Sequence, residues 1–199
     1  MSETVASQQA RQWFEQFEQA LQAKDIAGVT ALFNDECYWR DLVAFTWNIK
    51  TQEGHEAIAA MLKSQLDNVQ PSNFKLDGDA SEADGVTEAW FSFETASARG
   101  RGLLRLKDGK AWTLLTSMDE LKGFEENRKK KRPLGAQHGI EKNRKSWKDR
   151  KTENEQRLGY EDQPYCLIIG GGQGGITMGA RLKQLNVPTI VIEKIERHG

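Results

Sequence analysis

The sequence predicts an α+β domain over residues 1–121, a basic connector over 122–163, and the first strand–helix–strand of a doubly wound α/β domain over 164–199. Three observations predict it. Helical periodicity comes first along the chain and strand-forming runs follow, which is the order of an α+β domain. Charge changes sign: residues 1–121 hold 11 Lys/Arg against 19 Asp/Glu, residues 122–158 hold 13 against 6, and the remainder holds 4 of each. Finally, an apolar run at 165–169 enters Gly170-Gly171-Gly172-Gln173-Gly174-Gly175, and a helical stretch and a second apolar run at 189–192 follow.

In the first region Trp13, Phe17, Ala20 and Leu21 recur at helical spacing, so 10–21 reads as an amphipathic helix. A second helix is expected over 26–33, with Asp25 as its N-cap. The runs 37–43 and 44–49 are rich in aromatic and branched residues and read as strands. A third helix fits 54–66, with Ile58, Met61, Leu62 and Leu66 on one stripe and Pro71 forbidding extension. Further strands are expected at 74–76, 86–95, 102–106 and 111–118. Asp77-Gly78 and Asp108-Gly109 serve as turns, the second inside a hairpin. The expected result is one curved antiparallel sheet of about four to six strands, with helices across its concave side. Trp13, Phe17, Tyr38, Trp39, Trp47, Trp90, Phe91, Phe93 and Trp112 are expected mostly in its core, and Cys37 and Cys166 are expected to be buried.

The connector opens with the basic run 128–132 and is broken by Pro133, Gly135 and Gly139. Residues 140–158 are mostly charged, with Ile140, Trp147 and Leu158 as apolar anchors. They read as a solvent-bridging helix stopped by Gly159. The basic run reads as a solvated linker rather than a nucleic-acid contact, because no aromatic platform lies beside it in the sequence. No apolar run approaches the roughly 20 residues of a membrane helix, and residues 1–10 lack the pattern of a secretory signal. A reducing, cytoplasmic setting is expected, with no membrane partner. Cys37 and Cys166 alone make neither a disulfide framework nor a four-ligand zinc site, and His55, His138 and His198 show no metal spacing.

The glycine loop carries the chemistry. Gly170, Gly172 and Gly175 form GxGxxG between a strand and a helix, and Glu193 follows about 20 residues later at the end of the next strand. Gly170 permits the tight turn, Gly172 lets a pyrophosphate approach the backbone, and Gly175, helped by Gly179, allows helix and sheet to pack closely. The N–H groups of Gln173 and Gly174 sit at the helix start, where the dipole favours an anion. Glu193 is suited to accept hydrogen bonds from a ribose diol and to repel a 2′-phosphate, which points to FAD or NAD rather than NADP at this loop. Lys194 reads as solvated. The helix face Ile176, Ala180, Leu182 and Leu185 is expected to pack on the sheet.

In the first region Asp41 is a candidate general base, with His55 as its partner, if burial against Trp39 or Trp47 raises the carboxyl. The plainer reading has Asp41 pairing with Arg40 or capping a turn, and His55 in an exposed first helical turn. A scaffold or dimerisation role outranks catalysis there.

Leu121-Lys122-Gly123, Arg132-Pro133-Leu134-Gly135, His138-Gly139, Trp147 and the run from Gln163 into the glycine loop together resemble the flavin-containing monooxygenase-like oxidoreductases. The closer likeness is to those with an added N-terminal domain of the nuclear-transport-factor-2-like or polyketide-cyclase-like type. The resemblance implies an N-terminal cone domain and a Rossmann-type FAD domain beginning at the glycine loop. It also implies an FAD-dependent, NADPH-consuming oxidoreductase in which NADPH reduces the flavin and one oxygen atom enters a small-molecule substrate. Gly170, Gly172, Gly175 and Glu193 match family FAD-binding positions, with the N–H groups of Gln173 and Gly174 beside them. No catalytic residue of the oxygenation step is assigned, and the NADPH site of the family has no counterpart in these residues. The chain is therefore expected to correspond to the N-terminal part of such an enzyme, to bind FAD weakly or not at all, and to be inactive alone. The alternative is a small-molecule-binding or isomerase-like cone domain, or a homodimerising non-catalytic module, fused to a cofactor-binding remnant.

Overall fold

A computed structural model describes residues 4–131 and 143–195. Pro133, Gly135, His138, Gly139, Ile140 and His198 lie outside the described residues. The chain divides into two compact units, Met1–Glu125 and Glu126–Gly199. Among the described residues, no helix is long and apolar enough to cross a membrane.

The first unit runs α1 (Val5–Gln22), α2 (Ile26–Ala31), β1 (Phe33–Leu42), β2 (Ile49–Glu53), α3 (Gly54–Val69), β3 (Ser72–Leu76), β4 (Ser81–Ala83), β5 (Val86–Glu94), β6 (Ala98–Lys107) and β7 (Lys110–Leu121). Local chemistry sets most boundaries. The Thr4 hydroxyl accepts the Ser7 N–H and opens α1, and Asp25 accepts the Gly28 N–H at 2.9 Å and opens α2. Gln70, in the left-handed region, closes α3 just before Pro71. Phe33, expected at the end of the second helix, instead begins β1.

The sheet has seven strands in the order β2-β1-β7-β6-β5-β3, with β4 on β5. It is mixed, not antiparallel as expected, because β1 pairs parallel with β7. The first and last strands of the unit meet at the sheet's centre, which requires a long crossover that periodicity within either strand cannot reveal. The β6–β7 hairpin turns on Asp108 and Gly109, whose φ angles of +53° and +79° are those of the mirror-image turns that match strand twist.

Alternation along β5 turns Ala89, Phe91 and Phe93 inward, and alternation along β6 turns Gly100 and Gly102 inward. The glycines on β6 make room for rings: a Cβ on Gly102 would lie 2.1 Å from the Leu115 carbonyl oxygen and 2.3 Å from the Phe91 ring. Trp13, Phe17, Trp39, Phe91 and Phe93 are buried as expected, joined by Phe14, Phe33, Phe45 and Phe74. Trp47 and Trp90 depart from the expectation and are exposed, and Tyr38 and Trp112 are half-buried.

The second unit holds α4 (Trp147–Arg157), β8 (Cys166–Ile169), α5 (Gln173–Gln184) and β9 (Thr189–Ile192), with a short 3₁₀ turn at Lys129–Lys131. α4 is shorter than the helix expected over 140–158. Ser146 and Asp149 close a reciprocal capping box that sets its start, and Gly159, at φ +88°, follows its last turn. β8 and β9 pair in parallel, Leu167 opposite Ile190 and Ile169 opposite Ile192. Cys166 is half-buried rather than buried, and Leu167 and Ile169 are exposed.

The contact face of α5 also differs from expectation. Of the expected face only Leu182 is half-buried; Ile176, Ala180 and Leu185 are exposed, while Gly175 and Gly179 face the strands: a Cβ on Gly179 would lie 3.3 Å from Val191 Cγ2 and 3.8 Å from Ile168 Cδ1. Close approach of backbone to sheet selects the glycine stripe over the larger apolar one.

Candidate functional site

The loop between β8 and α5 is built by its ends. The Gly170 N–H donates to the Ile192 carbonyl at 2.8 Å and carries the β8–β9 ladder to the lip of the loop. Gly170 then turns at φ +103°, a conformation side chains rarely adopt. At Gly175 the reason for glycine is space, because a Cβ would lie 1.9 Å from the Gly170 carbonyl oxygen. Between them, a Cβ on Gly172 or Gly174 would meet no atom within 4 Å, so the backbone there is open to an approaching group.

Gly172 is the N-cap of α5, with no side-chain cap and no acidic residue in the first turn. The opening N–H groups of α5, those of Gln173, Gly174 and Gly175, therefore begin a helix without the carboxylate that closes α4. Glu193 comes to the same place from the end of β9. Its Oε2 accepts the buried Gly171 N–H at 2.6 Å and its Oε1 accepts the Lys194 N–H at 2.7 Å. The structure thus brings Gly170, Gly172, Gln173, Gly174, Gly175 and Glu193 around one loop. The open backbone and the uncapped helix start are features that could hold an anion, with a carboxylate at the rim of the loop. The link between Gly171 and Glu193 was not visible in the sequence.

The other candidate pair is not assembled. Asp41 is fully buried on β1, and its carboxylate accepts the N–H groups of Ala44, Phe45 and Thr46 and the hydroxyls of Thr46 and Thr116. Trp39 Nε1 donates in turn to the Thr116 hydroxyl at 2.9 Å. Asp41 thereby clamps residues 43–48, a loop and not the expected strand 44–49, and Arg40 bonds Thr51 instead. Its lone pairs are spent on the fold, the turn-capping role the sequence also allowed. His55 is half-buried rather than exposed, and its Nε2 lies 2.9 Å from the Asn34 carbonyl oxygen. Burial pushes the Cys37 thiol, on β1, above its ordinary range. Among the described residues, no group of three or more His, Cys, Asp or Glu is arranged to hold a metal ion.

A profile of the SnoaL-like domain family matches residues 11–114, which lie within the first unit and do not reach the glycine loop. Comparison with the curated proteins gives no match. Among solved structures, an NTF2-like protein of unknown function from Burkholderia pseudomallei is 16% identical, over 56% of this chain and 91% of its own, with a TM-score of 0.43. A domain of unknown function with a cystatin-like fold from Nostoc punctiforme is 17% identical, over 58% of this chain and 79% of its own, with a TM-score of 0.48. The Orange Carotenoid Protein from Anabaena, binding canthaxanthin, is 17% identical, over 53% of this chain and 35% of its own, with a TM-score of 0.44.

Proposed function

The chain belongs to the SnoaL-like family, and from that premise we propose that it joins a SnoaL-like domain to a unit holding the ADP half of a dinucleotide, FAD in the first instance, on the 170–175 loop. The observation that carries the reading is the juxtaposition of the open backbone at Gly172 and Gly174 with the Glu193 carboxylate at the same loop. The uncapped first turn of α5 faces the pyrophosphate, and the Glu193 carboxylate, held at the rim of the loop by the N–H groups of Gly171, Lys194 and Ile195, is the group offered to the ribose hydroxyls. Its charge disfavours a 2′-phosphate, so NADPH is the hydride donor from elsewhere and not the ligand of this loop. Bound flavin supplies two-electron redox chemistry, and the likeness of residues 121–175 to flavin monooxygenase-like oxidoreductases is what extends the reading to an FAD-dependent, NADPH-using enzyme acting on a small molecule.

A second reading is favoured by the family match itself: the SnoaL-like unit holds a small molecule or acts as an isomerase-like domain, and the glycine loop is accessory. Asp41, saturated by structural bonds, is not the base of such a site. A scaffold that pairs two copies of the chain through the first unit belongs to the same reading.

Calorimetric titration with ADP, FAD and 2′-phospho-ADP-ribose tests the proposal. ADP and FAD should bind with affinities within about tenfold of each other, because the residues described here contact only the shared half, and the 2′-phosphate should weaken binding about tenfold. Absence of ADP binding at millimolar concentration would overturn it. A steroid- or polyketide-sized apolar ligand bound by the first unit alone would favour the second reading.

A further inference from the structure

Trp147, which the sequence marks as an apolar anchor of α4, is 75% exposed. It opens onto a cleft of about 920 Å³ within the second unit, whose walls carry Arg144, Arg150 and Lys151 around α4 and Lys183 from α5. That volume is within the range of small-molecule sites. Lys151 Nζ lies 5.6 Å from the indole centroid, a cation–π contact on one side of the ring, and the exposure leaves the rest of the ring surface to a ligand.

The charges around the ring are only partly compensated by acidic groups among the described residues. Lys145 pairs with Glu153 at 2.6 Å and Lys151 with Glu155 at 3.5 Å. Arg144, Arg150 and Lys183 have no acidic partner among the described residues. The Arg150 guanidinium is instead held by the Lys145 carbonyl oxygen, at 3.4 Å from Nε and 3.3 Å from Nη2, which orients it without neutralising it. Among the described residues, Glu155 is the one carboxylate on the wall. The start of α4 is already capped, since Asp149 accepts the Ser146 N–H and Ser146 accepts the Asp149 N–H.

We infer that this cleft binds a nucleoside polyphosphate, with the base stacked on Trp147 and the phosphates on Arg144, Arg150 and Lys183. An aromatic plane beside three cations without an acidic partner among the described residues, Arg144 before α4, Arg150 on α4 and Lys183 on α5, matches a ligand that is planar at one end and multiply anionic at the other. One ring and one bounded cleft favour a single nucleotide over a strand, which calls for successive stacking platforms. The site is separate from the glycine loop, and the inference does not rest on the function proposed for that loop.

The test is tryptophan emission of the full chain titrated with ATP, in the parent, in Trp147→Phe and Arg150→Glu, and in Gly172→Asp, which places a carboxylate in the glycine loop. The expected result is saturable quenching that vanishes in Trp147→Phe and persists in Gly172→Asp. It should weaken at least about tenfold in Arg150→Glu and fall steeply with added salt. Three results would overturn the inference: quenching unchanged in Trp147→Phe, inorganic triphosphate displacing ATP at equal affinity, or an oligothymidylate binding over about a hundredfold more tightly than ATP, which would make the ligand a nucleic acid. Circular dichroism of each variant separates lost binding from lost folding.

Discussion

The Gly171 backbone N–H donates to the Glu193 carboxylate at 2.6 Å, tying the glycine loop after β8 to the end of β9. One residue thereby holds the loop in shape, and it is the same residue that the proposed function sets against the ribose. Hydrogen bonds to a charged acceptor are worth about 1.5–3 kcal/mol, so loss of the Glu193 carboxylate should loosen the loop.

Glu193→Gln keeps the acceptor oxygen and removes the charge. The preference for ADP-ribose over its 2′-phosphorylated form should narrow by about tenfold, read by competition titration. An unchanged preference would remove Glu193 from ligand selection.

Asp41 is the buried counterpart in the first unit. Its carboxylate holds a loop in which Val43, at φ +57°, and Trp47, at φ +54°, sit in the left-handed region, unusual for a branched residue. Asp41→Asn turns an amide donor toward groups that are themselves donors. It should cost about 3 kcal/mol, read as a fall of about 10 °C in the melting temperature of the unit. A stable Asp41→Asn variant would mean that the clamp is dispensable.

At Gly102 the constraint is purely spatial. Gly102→Ala pushes a methyl toward the Leu115 carbonyl oxygen, a backbone atom that cannot swing away, and toward the Phe91 ring. Overpacking of this kind costs about 1–3 kcal/mol, so denaturant midpoints should fall, whereas Gly78→Ala, at a surface turn with φ +88°, tests backbone strain without crowding. Equal loss in both variants would show that crowding is not the cause.

Two ion pairs at the β5–β7 end of the sheet set an acid-side dependence. Lys122 holds the Glu94 carboxyl below its ordinary value, and Arg99 does the same for Glu125. A lowered folded-state value contributes stability that is fully present above the ordinary glutamate range and is lost as pH falls through the lowered value. The groups are exposed, so salt should weaken the effect. Carboxyl NMR titration should place both midpoints below the ordinary range at low salt and return them toward it at high salt. Midpoints at ordinary values at low salt would dissolve the pairs.

Short-range chemistry was legible in the sequence: the Asp25 cap, the Asp108-Gly109 turn and the stop of α3 before Pro71 all depend on neighbours a few positions away. The β1–β7 pairing was not, because a parallel partner more than 70 residues distant leaves no trace in either strand's alternation. At α5, apolar periodicity points to Ile176, Ala180, Leu182 and Leu185, of which only Leu182 is half-buried; close packing selects Gly175 and Gly179, where the absence of a side chain is the signal. Asp41 stood out as a titratable residue among aromatics, yet its role depended on donors from the 44–46 turn and from Thr116 on β7. Trp147 reads in the sequence as an apolar anchor, yet the fold leaves it exposed.

The most direct measurement of the dinucleotide-loop claim is the amide spectrum of the ¹⁵N-labelled chain with ADP added. The expected result is saturable shifts at Gly171, Gly172, Gln173, Gly174 and Gly175 and at Glu193, with the core amides of the SnoaL-like unit unmoved. Shifts confined to that unit, or a spectrum unchanged at millimolar ADP, would contradict it.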